Sequence, residues 1–182
     1  DPTFDPTTGT YSFGDTKGGK LDTTGLETRR SDTAPITHVL MEGFLTDVLS
    51  GCDPHVASER VVAAYQSVRS GNVGLQEVAV PKGVHSDNYS SPWVRGMRNG
   101  KELLHIMYRQ DKKPKLLYCK RPYDVVCIDD TILDVEVLKV FEVDWIKTAD
   151  TVIRKKMESL IESVGLRWDE VVNGQSNIGQ WF

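Results

Sequence analysis

From Ile36 onward the apolar positions follow a helical period: Ile36, Val39, Leu40, Phe44, Val48 and Leu49 recur at steps of three and four until Ser50 and Gly51 stop the pattern. A second helix is expected from Pro54 to about Arg69, with Val56, Val61, Tyr65 and Val68 inward and Ser70, Gly71 and Asn72 as its terminator. The two read as a helical hairpin. Beyond them the period shortens to two. Strands are expected over 75–80, 103–108, 115–119 and 124–128, divided by turn residues such as Pro81 and Gly83. Between the first two, residues 91–98 read as a short helix carrying cations. A long helix is expected from an N-cap at Asp144 to Val164, ended by Gly165. Trp145, Ala149, Val152, Ile153, Leu160 and Ile161 share one of its faces, and Arg154, Lys155 and Lys156 face solvent. The expected fold is therefore α+β: a helical hairpin, a small and mostly antiparallel β region, and a long C-terminal helix. Residues 1–22 and 173–182 carry no useful period, and the first of these reads as a flexible lead-in or the edge of a structure supplied elsewhere.

A chain of 182 residues can bury a real core, and the length favours one domain with tails. No run approaches the roughly 18–20 apolar residues of a membrane helix, and the N-terminus lacks the basic and apolar regions of a signal peptide, so an intracellular, cytoplasmic location is expected. Cys52, Cys119 and Cys127 are an odd count without CxxC-type spacing, and the four histidines are scattered, which argues against a disulfide framework or a zinc site. The formal charge is −4, but it is unevenly spread. Between Lys82 and Arg121 ten Lys/Arg face three acids, a local +7 against −11 for the rest. Such a chain can turn one basic face to a polyanion, because physiological salt screens distant charges beyond roughly 8 Å. Ordinary solvated loop charges would give the same count.

Three stretches carry candidate chemistry. Residues 24–35, Thr24-Gly25-Leu26-Glu27-Thr28-Arg29-Arg30-Ser31-Asp32-Thr33-Ala34-Pro35, place a glycine turn, two adjacent arginines and several hydroxyls before the first helix. Unpaired N–H groups at a helix N-terminus, with arginine and hydroxyl donors, suit a phosphate; a plain capped helix with two solvated arginines would need the same residues. Asp129 and Asp130 end an apolar run, as metal-binding carboxylates often do. Neighbouring strand side chains point to opposite faces, however, and no second carboxylate-bearing strand completes a two-metal site, so a turn or cap role is expected. Glycine-rich phosphate loops, GxSxG elbows and HExxH helices are absent from the sequence. At the C-terminus, Ile178, Trp181 and Phe182 would form an apolar plug in a single 3₁₀ turn, with Gln175 free to bond a partner's rim. The alternative is a tail folded back onto its own core.

That tail resembles the peptide with which replication proteins dock onto sliding clamps. Thr24-Gly25-Leu26-Glu27-Thr28, two polar or basic residues, then Ser31-Asp32-Thr33-Ala34-Pro35 is similar to the palm-to-thumb junction of family B DNA polymerases, especially those of T-even-type bacteriophages. Val80-Pro81-Lys82-Gly83-Val84 and Pro92-Trp93-Val94-Arg95-Gly96 are similar to later thumb segments of the same enzymes. The resemblance runs from about residue 20 to the end, and its specific parts are the junction and the tail. The sequence departs from the family in holding neither the paired catalytic aspartates nor the proofreading carboxylates. Gly9-Thr10-Tyr11 keeps the aromatic of the motif before the junction without its lysines.

Family B polymerases are divided between two polypeptides in some phages and archaea, and the resemblance implies the C-terminal, thumb-bearing piece of a split or truncated enzyme. Residues 1–23 would be a lead-in or the end of a palm, 24–172 the thumb domain, and 173–182 an extended clamp-binding tail. The implied partners are a large polymerase fragment carrying exonuclease, palm and fingers, primer–template DNA, and a sliding clamp; a viral source would place it in the host cytoplasm. DNA contacts would come from Arg29, Arg30, Ser31, Thr33, Lys82, Arg95, Arg98 and Lys101, which fix position without reading sequence. No catalytic or metal-ligating residue is assigned here, and Mg²⁺ is expected at the partner's palm. Two other readings stay open: a stand-alone clamp-binding adaptor without polymerase activity, and a free-standing nuclease or transferase using Asp129 and Asp130.

Overall fold

A computed structural model describes residues 3–5, 10–12, 32–84 and 91–180, with the backbone course alone for 3–5, 10–12 and 175–180. The fold is α+β with a small antiparallel sheet. Strands β1 (Thr3–Asp5) and β2 (Thr10–Ser12) form a two-stranded pair with Phe4 opposite Tyr11. Helices α1 (Pro35–Leu49) and α2 (Pro54–Arg69) follow, then a single helical turn α3 (Leu75–Val78), β3 (Val80–Pro81) and α4 (Pro92–Leu104). After β4 (Lys115–Arg121), β5 (Val125–Ile128), α5 (Asp134–Leu138) and β6 (Glu142–Val143), the chain ends in α6 (Trp145–Ala149), a π-helical turn (Asp150–Arg154), α7 (Lys155–Ser163) and α8 (Trp168–Gln180). No described helix is long and apolar enough to cross a membrane.

The chain divides into two compact units. One contains β1 and β2, Thr37–Gln66 and the chain from Ile153; the other contains Ser67–Val152 and the residues just before Thr37. In the first, α2 starts where Asp53 caps it: the His55 N–H donates to Asp53 Oδ1 at 2.8 Å, and Pro54 occupies the first helical position, where no N–H is required. Val61, Val62 and Tyr65 of α2 and Met157 and Ile161 of α7 are buried in this unit. Tyr65 meets Trp168 edge to face, with ring centres 5.0 Å apart. Arg60 of α2 reaches Asp47 of α1 at 3.7 Å, which ties the two arms of the expected hairpin.

The second unit is built around β4, which pairs antiparallel with β3, β5 and β6. Leu116 lies opposite both Val80 and Cys127, so β3 and β5 flank it on either side. All four residues of β5 are buried. The β5 carbonyls that do not serve the ladder are met by side chains: Asn99 Nδ2–H donates to Val125 O at 2.9 Å, and the Tyr108 hydroxyl donates to Cys127 O at 2.6 Å. Burying a strand edge without such donors would strand its polar groups away from water.

Both hairpin helices, the strands near 115–119 and 124–128, and the Asp144 N-cap fall where the sequence pattern puts them; Asp144 Oδ1 accepts from the Lys147 N–H at 3.0 Å. Other expectations need correction. Val39 and Val56 are exposed, at 63% and 53%, and the buried faces use Thr37 and Met41 in α1 and Ala57 and Val62 in α2. Residues 75–80 are mostly the helical turn α3, not a strand. The cause is long-range: the Leu75 N–H donates to Asp134 Oδ2 at 3.0 Å, and Gln76 Nε2–H donates to Asp129 O at 2.6 Å. Residues 103–108 are not a strand either, because α4 runs to Leu104 and His105 closes it at φ 56°. The expected extended tail is replaced by α8 as far as Gln180, a second helix beyond the Gly165 turn.

Candidate nucleic-acid interface

Helix α4 begins at Ser91, whose Oγ accepts from the Trp93 N–H at 3.3 Å, with Pro92 in the first turn. Its buried face is Gly96, Asn99 and Gly100. A Cβ at Gly96 would stand 2.7 Å from Cys127 Sγ and 3.0 Å from Cys127 N. One at Gly100 would fall on the Tyr108 hydroxyl and 2.8 Å from Cys127 O. The helix can lie on β5 only because both side chains are missing. This seating leaves Arg98 and Lys101 exposed and Arg95 partly so, while Trp93 and Met97 of the same helix pack against Leu116, Val125 and Cys127.

The basic residues expected to meet DNA then separate into groups. Arg98 and Lys101, three apart on the helix, line one hollow of about 680 Å³ with Met97, His105, Met107 and Tyr108. Neither makes an ion pair among the described residues. An adjoining hollow of about 520 Å³ shares Met97 and Tyr108 and adds Arg109, Lys112 and Lys113 to the same surface. These three belong to the basic run of the sequence but stand outside the residues named for DNA contact; the charge count was the signal for them. Arg109 is held by Asp111 at 2.8 Å. Arg95 is turned toward Asp124, at 2.9 Å, and Lys82 sits 4.9 Å above the Trp93 ring, whose Nε1–H donates to Val80 O at 2.9 Å. Thr33 is 6% exposed, so its hydroxyl has little access to solvent. Arg29, Arg30, Ser31, Trp181 and Phe182 lie outside the described residues; the backbone of Gln175 and Ile178 is in α8.

Beneath the hollows, Tyr108 and Cys127 are held protonated. Burial, then the neighbouring Cys127 and Asp129, pushes the Tyr108 phenol well above its ordinary range, and burial does the same to the Cys127 thiol. Cys119, on β4, is pushed up to about 12, first by burial and then by Asp124 and Asp144. Tyr108 and Cys127 support the floor of the surface, and none of the three groups offers a nucleophile near neutral pH.

Asp129 Oδ1 accepts from the Thr131 N–H, the Thr131 hydroxyl and the Ile132 N–H at 2.9–3.0 Å, which shapes the turn after β5. Among the described residues no three His, Cys, Asp or Glu gather in a metal-holding group. What the surface can do chemically is attract and hold an anion along a strip of cations with Met and Tyr beneath. No protein-family model matches the sequence, and no curated protein matches it.

Proposed function

We propose that this chain is the thumb-bearing part of a family B DNA polymerase, gripping primer–template duplex and docking on a sliding clamp. Nucleotidyl transfer would belong to palm aspartates outside these 182 residues. The observation that carries this reading is the order of two sequence motifs, the junction-like stretch 24–35 and the clamp-peptide-like residues Gln175, Ile178, Trp181 and Phe182, with a basic segment between them. The outward face of α4 supports it: Arg98 and Lys101 are exposed and unpaired among the described residues, and their hollow shares Met97 and Tyr108 with the one that Lys112 lines. A guanidinium offers a planar pair of donors to a phosphate, and an ammonium a compact charge, so the pair fixes a duplex backbone without reading its bases. Mg²⁺, which the reaction class requires, would be held by the palm. Asp129 accepts from its own turn, in keeping with a turn role for it.

The test is duplex binding across a salt series, read by fluorescence anisotropy. Arg98→Ala with Lys101→Ala should weaken binding at all sequences and lower the salt slope by up to about 2, and Arg29→Ala with Arg30→Ala should do the same. Unchanged slopes in both double variants would remove the DNA-gripping role. In a parallel measurement with a sliding clamp, removing residues 175–182 should abolish clamp binding and leave duplex affinity intact. Equal clamp affinity with and without the tail would sink the docking half of the proposal.

A further inference from the structure

The unit containing Ser67–Val152 has another cationic hollow, about 620 Å³ in volume, that shares no lining residue with the α4 surface. Its cations are Arg69 at the end of α2, Lys120 and Arg121 at the end of β4, and Lys139 after α5. One carboxylate, Glu142, stands among them and pairs with Arg121. Lys120 and Lys139 make no ion pair among the described residues. The hollow therefore carries an excess of positive charge.

Its apolar part is unusual in position. Leu138, Val140 and Ile146 line the hollow and are all exposed, Ile146 at 52%. Phe141 and Val143 form a buried floor. Trp145 is half-buried beside them, its indole packed on Gly71, with Nε1 3.0 Å from where a Cβ at Gly71 would stand. Among the described residues the Nε1–H has no hydrogen-bond acceptor. Three exposed aliphatic side chains gathered beside Lys120 and Lys139 form a mixed apolar and cationic patch of the kind that partner proteins cover.

We infer that this hollow docks an acidic segment of a partner protein in which carboxylates alternate with aliphatic or aromatic side chains. The carboxylates complement Lys120 and Lys139, and the apolar side chains cover Leu138, Val140 and Ile146. A backbone carbonyl or carboxylate oxygen accepts from Trp145 Nε1–H. Charge complementarity selects an anionic occupant. The aliphatic trio selects a peptide over a nucleic acid, because a phosphate backbone would satisfy the lysines and leave three exposed hydrocarbon side chains beside it. This inference is independent of the polymerase reading and survives its failure.

The experiment pans a random dodecapeptide display library against the full chain. Enriched sequences should be rich in Asp and Glu spaced among Leu, Ile and Phe. A synthetic peptide from the enriched set should lose at least about tenfold in affinity with Lys120→Glu/Lys139→Glu and with Ile146→Asp, and lose affinity as salt rises. The milder Lys139→Gln should show the same direction, while Arg98→Ala/Lys101→Ala leaves affinity unchanged; circular dichroism checks that each variant is folded. Three outcomes overturn the inference: no enrichment over the Ile146→Asp chain, enrichment of peptides without acids, or peptide affinity indifferent to these substitutions. Binding of a labelled oligothymidylate that is lost with the same lysine reversals would assign the hollow to nucleic acid instead.

Discussion

Helices α2 and α4 are of similar length, 16 and 13 residues, and are seated by opposite means. Helix α2 buries side chains: Ala57, Val61, Val62, Tyr65 and Val68 all turn inward. Helix α4 buries the lack of them, with Gly96 and Gly100 against Cys127 and Asn99 bonded to the Val125 carbonyl. An apolar stripe lets a helix slide or rotate by small amounts with graded loss, whereas a glycine seat on a strand admits one position. The α4 arrangement thus fixes where Arg98 and Lys101 point, which a softer interface would not.

The largest way to break this contrast is Gly100→Ala. Helix propensity alone predicts a gain of about 1 kcal/mol. Here the added methyl displaces the Tyr108 hydroxyl and crowds the Cys127 carbonyl, so a net loss of about 3 kcal/mol is expected from overpacking and the broken hydrogen bond. Urea unfolding reads it as a fall in midpoint, and a midpoint equal to or above wild type would refute the glycine seat.

The sealed strand also sets an alkaline limit. Cys127 and Tyr108 have raised folded-state pKa values, so their protonated forms favour the fold; that stability is fully present below the ordinary thiol value of 9.0 and is lost as pH climbs through the raised range. Each such group steepens the loss by up to about 1.4 kcal/mol per pH unit above its unfolded pKa. Cys127→Ser keeps a donor to the Trp93 carbonyl, which Sγ now reaches at 3.3 Å, without titrating in this range. Unfolding measured between pH 8 and about 11 should therefore show a shallower decline for Cys127→Ser. Parallel declines for variant and wild type would mean that the thiol ionises freely in the fold.

The smallest effect sharpens the comparison from the other side. Ala63 lies on the exposed face of α2, and Ala63→Gly should cost about 1 kcal/mol through backbone entropy alone. Alanine is then the better residue at one helix and the worse at the other. The two variants, measured side by side by urea unfolding, should both be destabilised although their substitutions run in opposite directions.

Much of the architecture was legible along the chain. The starts of α1 and α2, at Pro35 and Pro54, and the cap at Asp144 depend on residues within one helical turn, so local pattern suffices. Strand β4 carries the apolar run Leu116–Cys119 and β5 the β-branched Val125, Val126 and Ile128, enough to be read the same way. Helix α4 was legible only at its start: its inner face is Gly96, Asn99 and Gly100, which no hydrophobic period reports. The candidate DNA surface shares this split. Its cations are countable in the sequence, while the sharing of Met97 and Tyr108 between the hollow of Arg98 and Lys101 and that of Lys112 depends on how the chain after His105 returns past α4.

What the sequence by itself determined is therefore what short-range chemistry controls: the helix starts, the glycine stops at Gly51 and Gly165, the α+β class, and the basic segment between Lys82 and Arg121. Only the tertiary structure decided that residues 75–78 turn as a helix, that Val39 faces water, and that Arg95 and Arg98 have different neighbours. Each of those outcomes hangs on a residue distant in the chain. Asp134 receives the Leu75 N–H, Asp124 holds Arg95, and Cys127 accepts α4 where its side chains are absent. Hydrogen bonds and close packing across such separations outweigh propensities of a few tenths of a kcal/mol per residue, or about 1 for glycine, and leave no period in the sequence to announce them.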